Sequence, residues 1–201
     1  MDLLMTLGRT LGFSAAAGIN LYATVAILGL ASRYGWVTLP PQFKVFDNDV
    51  IIIVALVMYV VEFLADKIPW VDSVWDLIHT VIRPVGGALI AVAALGQASP
   101  TVEGLVALLG GTVAAGTHLT KAGTRVMVNA SPEPFSNWAL SLLEDVFVVG
   151  LGLLTLKYPL LALGVAVVLL VVIIIFARVL LRAVGRLFSG RRRPAASSGG
   201  V

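Results

Sequence analysis

Several ionisable side chains lie in or beside strongly apolar stretches of the sequence. Glu62 and Asp66 are four residues apart, so a helix places both carboxylates on one face. The same spacing relates Asp72 to Asp76, and His79 follows three residues later. Carboxylate oxygens bind hard cations such as magnesium, calcium or manganese, and a buried carboxylate can also carry a proton. The pattern predicts an ion or proton site, with Asp72, Asp76 and His79 as candidate ligands of a divalent metal.

A second pair of acids, Glu144 and Asp145, lies in the sequence SLLEDVFVVGLGLL, six or seven residues into the apolar segment that begins at about Trp138. A charge at that depth in a membrane costs about 2.5 to 3.5 kcal/mol and usually faces the protein interior or a wet cavity. These two residues are therefore candidates for ion or substrate binding. His118 and Lys121 could supply cationic partners, although Lys121 could equally extend to the membrane surface.

An ordinary interpretation of the first acids stays open. Asp66, Asp72 and Asp76 could lie in headgroup water at the end of an apolar helix, with Lys67 pairing one of them. Glu62 fits this interpretation less well, because it lies one helical turn further into the apolar run.

The composition indicates what must position these side chains. Of the 201 residues, 59% are hydrophobic and only 12% are charged, whereas soluble domains carry about 25% charged residues. Apolar stretches of roughly 20 residues follow one another, which predicts an integral membrane protein. The absence of cysteine excludes disulfides, thiolate metal sites and cysteine nucleophiles. The N-terminus lacks the pattern of a removable signal peptide, so the first helix is expected to remain.

The hydropathy pattern predicts an all-α bundle of about six transmembrane helices. The predicted segments are residues 10–32, 50–66, 81–98, 102–122, 138–156 and 160–181. The stretch WVDSVWDLIHT between the second and third segments is typical of a short amphipathic interfacial helix. The small-residue composition of segments one and four leaves open whether they cross fully or turn back as re-entrant hairpins.

The distribution of basic residues predicts the orientation. Six crossings place both termini on one side, and 11 of the 14 Lys and Arg residues fall on that side, so both termini are expected in the cytoplasm. Residues 189–201 form an expected disordered, basic cytoplasmic tail facing anionic lipid. Nucleic acid is not an expected partner.

Two similar motifs suggest an internal repeat. Residues 16–21 read AAGINL and residues 114–119 read AAGTHL, and PPQF at Pro40 and PEPF at Pro132 follow them. If each unit has three crossings, the second copy, residues 99–188, must be inverted relative to the first, residues 1–98, as in many secondary transporters. Asn20 and His118 then occupy matching positions that could line a cavity at the membrane midplane. Chance similarity of small-residue helices is the alternative.

The string VEFLADKIPWVDSVWDLIHTVIRP, with AAGINLY before it and LLEDVF after it, resembles a family of bacterial membrane proteins known as DUF4126, a domain of unknown function. The resemblance covers the chain from the first predicted helix to the sixth. It implies a membrane location, here the bacterial inner membrane, and no particular activity.

Three functions follow as hypotheses. The favoured one is a secondary transporter or permease that moves a small cation or an ion-coupled solute, with protons or a divalent cation as coupling ion. Its expected binding residues are the following: Asn20, Glu62, Asp66, His118, Glu144 and Asp145. The second is an enzyme or translocase that acts on a lipid phosphate, with Arg83 binding the phosphate. The third is a non-catalytic scaffold whose acids pair with nearby lysines and arginines. Enzymatic activity is the less favoured expectation, and a homo-oligomer is left open.

Overall fold

The computed structural model describes residues 2–130 and 135–189, and within them the chain is all-α. A 3₁₀ helix, Pro41–Phe46, precedes the third helix. The α-helices are α1 (Asp2–Ile19), α2 (Leu21–Arg33), α3 (Asp49–Ala65), α4 (Pro69–Leu95), α5 (Pro100–Asn129), α6 (Phe135–Lys157) and α7 (Pro159–Ser189). The prediction of an all-α fold is confirmed.

The bundle has the dimensions of a membrane protein. In the described part of the chain, four helices are long and apolar enough to cross a bilayer: α4, α5, α6 and α7. Helix α3 has 17 residues and is apolar as far as Glu62. Large apolar side chains cover the outside of the bundle, as expected for helices that face lipid. The protein is therefore a polytopic membrane helix bundle.

The first predicted segment is interrupted in its middle. Helix α1 ends at Ile19, and Asn20 has an extended backbone with φ −147° and ψ 101°. The Asn20 side chain accepts a hydrogen bond from the backbone N–H of Ala23, which caps the start of α2. Asparagine is among the best N-cap residues because its short carbonyl reaches the free amides of a first helical turn.

Helices α1 and α2 form a hairpin whose tip is Asn20. Along α1, Ser14 contacts Gly87 and Gly18 contacts Arg83, so α1 is antiparallel to α4. Helix α2 instead runs parallel to α4, from Leu21 beside Gly86 to an apolar cluster near the end of α4. That cluster contains Phe13 of α1, Leu28 and Ala31 of α2, Ala94 of α4 and Leu156 of α6. Both helices therefore lie in the same half of the bundle.

The hairpin changes the expected topology. Gly8 on α1 lies against Pro159, where α7 begins, and α7 then runs 31 residues to the other end of the bundle. The start of α1 and the end of α7 are therefore at opposite ends. This arrangement does not agree with the expectation that both termini lie on one side, which assumed that segment one crosses fully. Segment four, in contrast, is the continuous helix α5.

The expected interfacial helix is part of a longer one. The stretch WVDSVWDLIHT and the third predicted segment form the single 27-residue helix α4, with Pro84 inside it. Its polar face points inward and its apolar side chains point outward, which is the reverse of a helix that lies on a membrane surface.

Small residues bring the central helices together. A side chain at Gly18 would collide with Thr117 and with the backbone of Ala114, and one at Gly110 would collide with Ala91. Glycine at such positions lets membrane helices approach to backbone contact. The predicted boundary between the repeats, at residues 98 and 99, falls in the short connection from α4 to α5 and stays a prediction. Pro132 and residues 190–201 lie outside the described residues.

Candidate ion site inside the bundle

Charged and polar side chains of four helices meet beside the hairpin tip, and all of them are buried except Glu144, which is partly exposed. Helix α4 contributes residues spaced so that they share one face: Asp72, Asp76, His79 and Arg83. Helix α5 contributes His118, Lys121 and Arg125, again on one face. Glu62 and Asp66 come from the end of α3, and Glu144 from α6. We call these ten residues the buried ionic cluster.

Arg83 connects α4 with three neighbouring elements. Its Nη2 lies 2.8 Å from Oε1 of Glu62, and neither side chain is exposed. Its Nη1 donates to the carbonyl of Gly18 at 3.3 Å and lies 2.7 Å from Nδ1 of His118. The same Nη1 is 3.5 Å from Oδ1 of Asp76. Arg83 therefore links the hairpin tip to α3 and α5.

The hydrogen bonds of His118 define its protonation. Arginine nitrogens only donate, so Nδ1 of His118 accepts from Arg83 and carries no proton. Nε2 then carries the proton and donates to the carbonyl of Asp76 at 3.0 Å. His118 is consequently a neutral imidazole, and the expectation that it supplies a cation is corrected.

Lys121 is surrounded by oxygens from three parts of the chain. Its Nζ is 3.0 Å from Oδ2 of Asp66, 3.4 Å from Oε1 of Glu62 and 3.6 Å from Oε2 of Glu144. It also donates to the carbonyl of Ile19 at 3.3 Å, in the last turn of α1. The side chain is buried, so Lys121 does not extend to the membrane surface.

Arg125 completes the line of cations. Its Nη2 lies 2.6 Å from Oε2 of Glu144 and 2.9 Å from Oδ2 of Asp66. Its Nη1 donates to Oδ1 of Asn137 at 2.8 Å and to the backbone carbonyl of Asp66 at 2.9 Å. Asp72 is farther away, at 4.0 Å, and accepts instead from Asn129 at 2.8 Å.

The cluster has more acids than bases. In the described structure, its ion pairs connect five carboxylates to three cations, since His118 is neutral. Five buried carboxylate oxygens also have no hydrogen-bond partner in that part of the chain: Oε2 of Glu62, Oδ1 of Asp66, Oδ1 of Asp72, Oδ1 of Asp76 and Oδ2 of Asp145. Buried charges are normally paired, and unpaired acceptors are costly. The arrangement can therefore accept protons or an additional cation.

Two predicted binding residues have other surroundings. Asn20 is buried at the hairpin tip, but its side-chain oxygen caps α2. Asp145 is buried on α6 without an ion pair among the described residues. Asn20 thus positions the carbonyls of Gly18 and Ile19 toward Arg83 and Lys121, and Asp145 remains a candidate beside the cluster.

The proposed metal ligands do not converge. Asp72 binds Asn129, and Asp76 lies near Arg83. His79 donates from Nδ1 to its own helix at Trp75, and its Nε2 is 3.0 Å from the hydroxyl of Tyr22. Within the described residues, no three His, Asp or Glu side chains could hold a metal ion together. The assignment of Asp72, Asp76 and His79 as ligands of a divalent metal stays a prediction.

Within residues 2–130 and 135–189, Lys67 has no acidic partner of the kind that the ordinary interpretation expected. Its ammonium donates to the carbonyl of Phe63 at 2.9 Å and lies 3.0 Å from the centre of the Phe63 ring. Burial lowers the pKa of Lys67. The acids of the cluster are instead paired with basic residues of α4 and α5.

Sequence reasoning missed the polar residues that complete these contacts. Tyr22 binds His79, Thr80 lies 3.1 Å from Nε2 of His118, and Asn137 binds Arg125. Asn129 was missed as well. Asn137 and Asn129 come near helix ends, where asparagine is common, so their types carried little signal. Arg83 had a signal, because arginine within an apolar helix usually faces a polar interior.

Cavities adjoin the cluster on two sides. One, of about 170 Å³, lies among the hairpin tip, α5, α6 and α7 and is bordered by Lys121, Glu144 and three threonines. The other, of about 200 Å³, lies between α4 and α5 and is bordered by Asp72, Asp76 and Arg125. The charged groups are therefore next to space that a small ion or water could occupy.

The fold and the cluster define a class, that of polytopic membrane proteins with a charged site inside a helix bundle. The family model described as Domain of unknown function (DUF4126) matches residues 7–179. The chain belongs to this family. No curated protein and no solved structure matches the chain.

Proposed function

We propose that the protein is a secondary transporter or permease that moves a small cation or protons, alone or with a solute, through the buried ionic cluster. The excess of buried carboxylates over cations carries the proposal. A bundle that only needed rigidity would balance its buried charges, because an uncompensated charge in low dielectric is strongly destabilising. Protons or a mobile cation would supply the missing positive charge.

The interrupted first segment supports the same proposal. Transporters often place ion sites where a membrane helix breaks, since the last carbonyls of a half-helix are free to bind cations. Here the carbonyls of Gly18 and Ile19 face Arg83 and Lys121. Backbone that is not helical is tolerated inside a membrane only where protein or water satisfies it.

The directions of the helices are compatible with an inverted repeat. Lys121 contacts Glu62 near the end of α3 and Glu144 in the first half of α6. Helix α3 therefore runs toward the cluster, whereas α6 runs away from it. Helices α4 and α7 are likewise opposed. We propose that α2 to α4 and the second half of α5 with α6 and α7 are the inverted units, with α1 as the element that departs from the symmetry.

We further propose that the end of the bundle carrying Arg178, Arg182 and Arg186 faces the cytoplasm of a bacterial inner membrane, following the positive-inside rule. The C-terminus then lies in the cytoplasm and the start of α1 on the opposite side.

Ion flux into liposomes tests the transport proposal. Purified protein is reconstituted, and pH-sensitive and cation-sensitive dyes report flux driven by gradients of protons, Na⁺, K⁺ or Mg²⁺. We expect wild-type flux for at least one ion and a loss of tenfold or more in Glu62→Gln, because this carboxylate lies at the centre of the cluster.

The matched control is Asp49→Asn, which neutralises an exposed acid paired with Arg33 and is expected to keep wild-type flux. Absence of flux for every gradient in folded wild-type protein contradicts transport. Equal flux in Glu62→Gln and wild type contradicts the assignment of the cluster as the pathway.

A further inference from the structure

The ammonium of Lys121 fills a cradle of four oxygens. Its ligands are the carbonyl of Ile19 from α1, a carboxylate oxygen each from Glu62 and Asp66, and one from Glu144 on α6. Their distances to Nζ range from 3.0 Å for Asp66 to 3.6 Å for Glu144. We call these four oxygens the Lys121 cradle.

The cradle has the chemistry of a cation site. Carboxylates and a carbonyl are the ligands that hard cations take in proteins, and a carbonyl at the C-terminal end of a helix carries additional negative potential. Oε2 of Glu62 and Oδ1 of Asp66 are buried without hydrogen-bond partners in the described chain, on side chains that are 0% and 2% exposed. Two carboxylates that contribute to the cradle therefore each have a second, buried oxygen that no described group uses.

The charge around the cradle permits an exchange. Arg83 shares Glu62 with Lys121, and Arg125 shares Asp66 and Glu144 with it. If Lys121 leaves, these two arginines face the five carboxylates of the cluster alone. An incoming monovalent cation would restore the balance found in this structure.

A cavity beside Lys121 provides an alternative position for its ammonium group. The cavity of about 170 Å³ borders Lys121 directly, and Thr117, Thr120 and Thr124 line it. Each of these hydroxyls donates to a carbonyl of its own helix, which leaves its oxygen free to accept. A change of side-chain rotamer would move the ammonium from carboxylates to threonines.

We propose that the Lys121 cradle is a binding site for a monovalent cation, either an alkali metal ion or a primary ammonium group. Lys121 occupies the site in this conformation and moves into the threonine-lined cavity when the free cation binds. The link to movement across the membrane rests on the proposed transport function, whereas binding at the cradle does not.

Thermal unfolding of Lys121→Ala in detergent tests the proposal. Scans are run at constant ionic strength in choline chloride, whose cation is too bulky for the cradle, and with NaCl, KCl or methylammonium chloride replacing it. We expect the variant to be destabilised in choline and to recover by about 5 to 10 °C at saturating cation. The salt that rescues at the lowest concentration distinguishes an alkali ion from an ammonium group.

Two further variants make the result specific. Lys67→Ala removes a lysine outside the cluster and is expected to respond equally to all salts. Lys121→Ala with Glu62→Gln keeps the charge balance and three cradle oxygens, so it is expected to show a smaller, still saturable recovery. This double variant also serves if the single variant does not fold in any salt.

Equal behaviour of Lys121→Ala in choline and in the other salts overturns the cradle proposal, as does a folded double variant without any selective shift. These scans measure binding only. A selective shift together with absent flux in liposomes would retain the cation site and reject transport, and flux without a shift would do the reverse.

Discussion

At the scale of single residues, the cluster shows how buried charges are held in a membrane protein. Each cation contacts at least two acids: Arg83 faces Glu62 and Asp76, and Arg125 faces Asp66 and Glu144. Removing one partner from such a group leaves a charge that neither water nor lipid can solvate. The loss is therefore larger than the net contribution of the pair.

Substitution of Arg125 by Gln is expected to reduce the stability of the folded protein by about 3 to 5 kcal/mol. It removes the closest cation from Asp66 and Glu144, so that these two acids and Glu62 must share Lys121. The measurement is the free energy of unfolding in detergent, from denaturant titration followed by circular dichroism. Arg178→Gln, which changes an exposed arginine on α7, is the control and should stay within about 0.5 kcal/mol of wild type. Similar losses in both variants would contradict a structural role of the buried contacts.

At the scale of elements, one capping residue determines the shape of the first segment. The apolar pattern of residues 10–32 has no proline, and a continuous helix would satisfy its backbone. Asn20 makes a break possible, because its side-chain carbonyl accepts from the backbone N–H of Ala23 and caps α2. The backbone carbonyls of Gly18 and Ile19, which the break leaves free, accept from Arg83 and Lys121. Tertiary contacts from α4 and α5 thus stabilise a break that local propensity only permits.

Replacement of Asn20 by Ala removes that cap and leaves the amide of Ala23 buried without a partner. We expect a loss of about 1 to 2 kcal/mol, at the upper end for N-caps because the site is buried. Asn48→Ala removes a similar cap at the exposed start of α3, and a smaller loss is expected there. Thermal unfolding of both variants provides the comparison, and an equal or smaller loss at Asn20 would argue against a buried, structurally required tip.

At the scale of the whole molecule, polar faces point inward and apolar faces point outward. Helices α4 and α5 both follow this rule, with their charged stripes buried and their large apolar side chains exposed. In water this exposure would be an aggregation hazard, but lipid is as apolar as the exposed side chains, so they need no cover. The hairpin then places the start of α1 and the end of α7 at opposite ends.

Cysteine labelling tests this topology on a chain that has no native cysteine. Single cysteines replace Leu3, Ser99 and Ala130, and a membrane-impermeant maleimide is added from one side of intact cells or inverted vesicles. We expect Leu3→Cys to label from the same side as Ser99→Cys and from the side opposite to Ala130→Cys. Labelling of Leu3→Cys from the same side as Ala130→Cys would instead support the original expectation, in which segment one crosses fully and both termini lie on one side.

Much of the architecture followed from local pattern. Apolar runs long enough to span a bilayer predict membrane helices, and the later helices match the predicted segments closely. The acids Glu62, Asp66 and Glu144 were recognisable because charges inside apolar runs need a polar interior. Their basic partners were harder to place. Lys121 also had a surface interpretation from sequence, and Lys67, the lysine next to Asp66 in the chain, contacts Phe63 instead.

The sequence by itself determined that the chain is a membrane helix bundle with acids inside it, because hydropathy and helical spacing are local properties. Only the tertiary structure decided three features: the hairpin at Asn20, the continuity of α4, and the partners of each carboxylate. Each depends on groups distant in the chain, such as Arg83 beside Gly18 and Lys121 beside Ile19. Local propensity allows a break or a turn, but contacts from other helices determine whether it forms, because inside a membrane every free backbone group must find a partner within the protein.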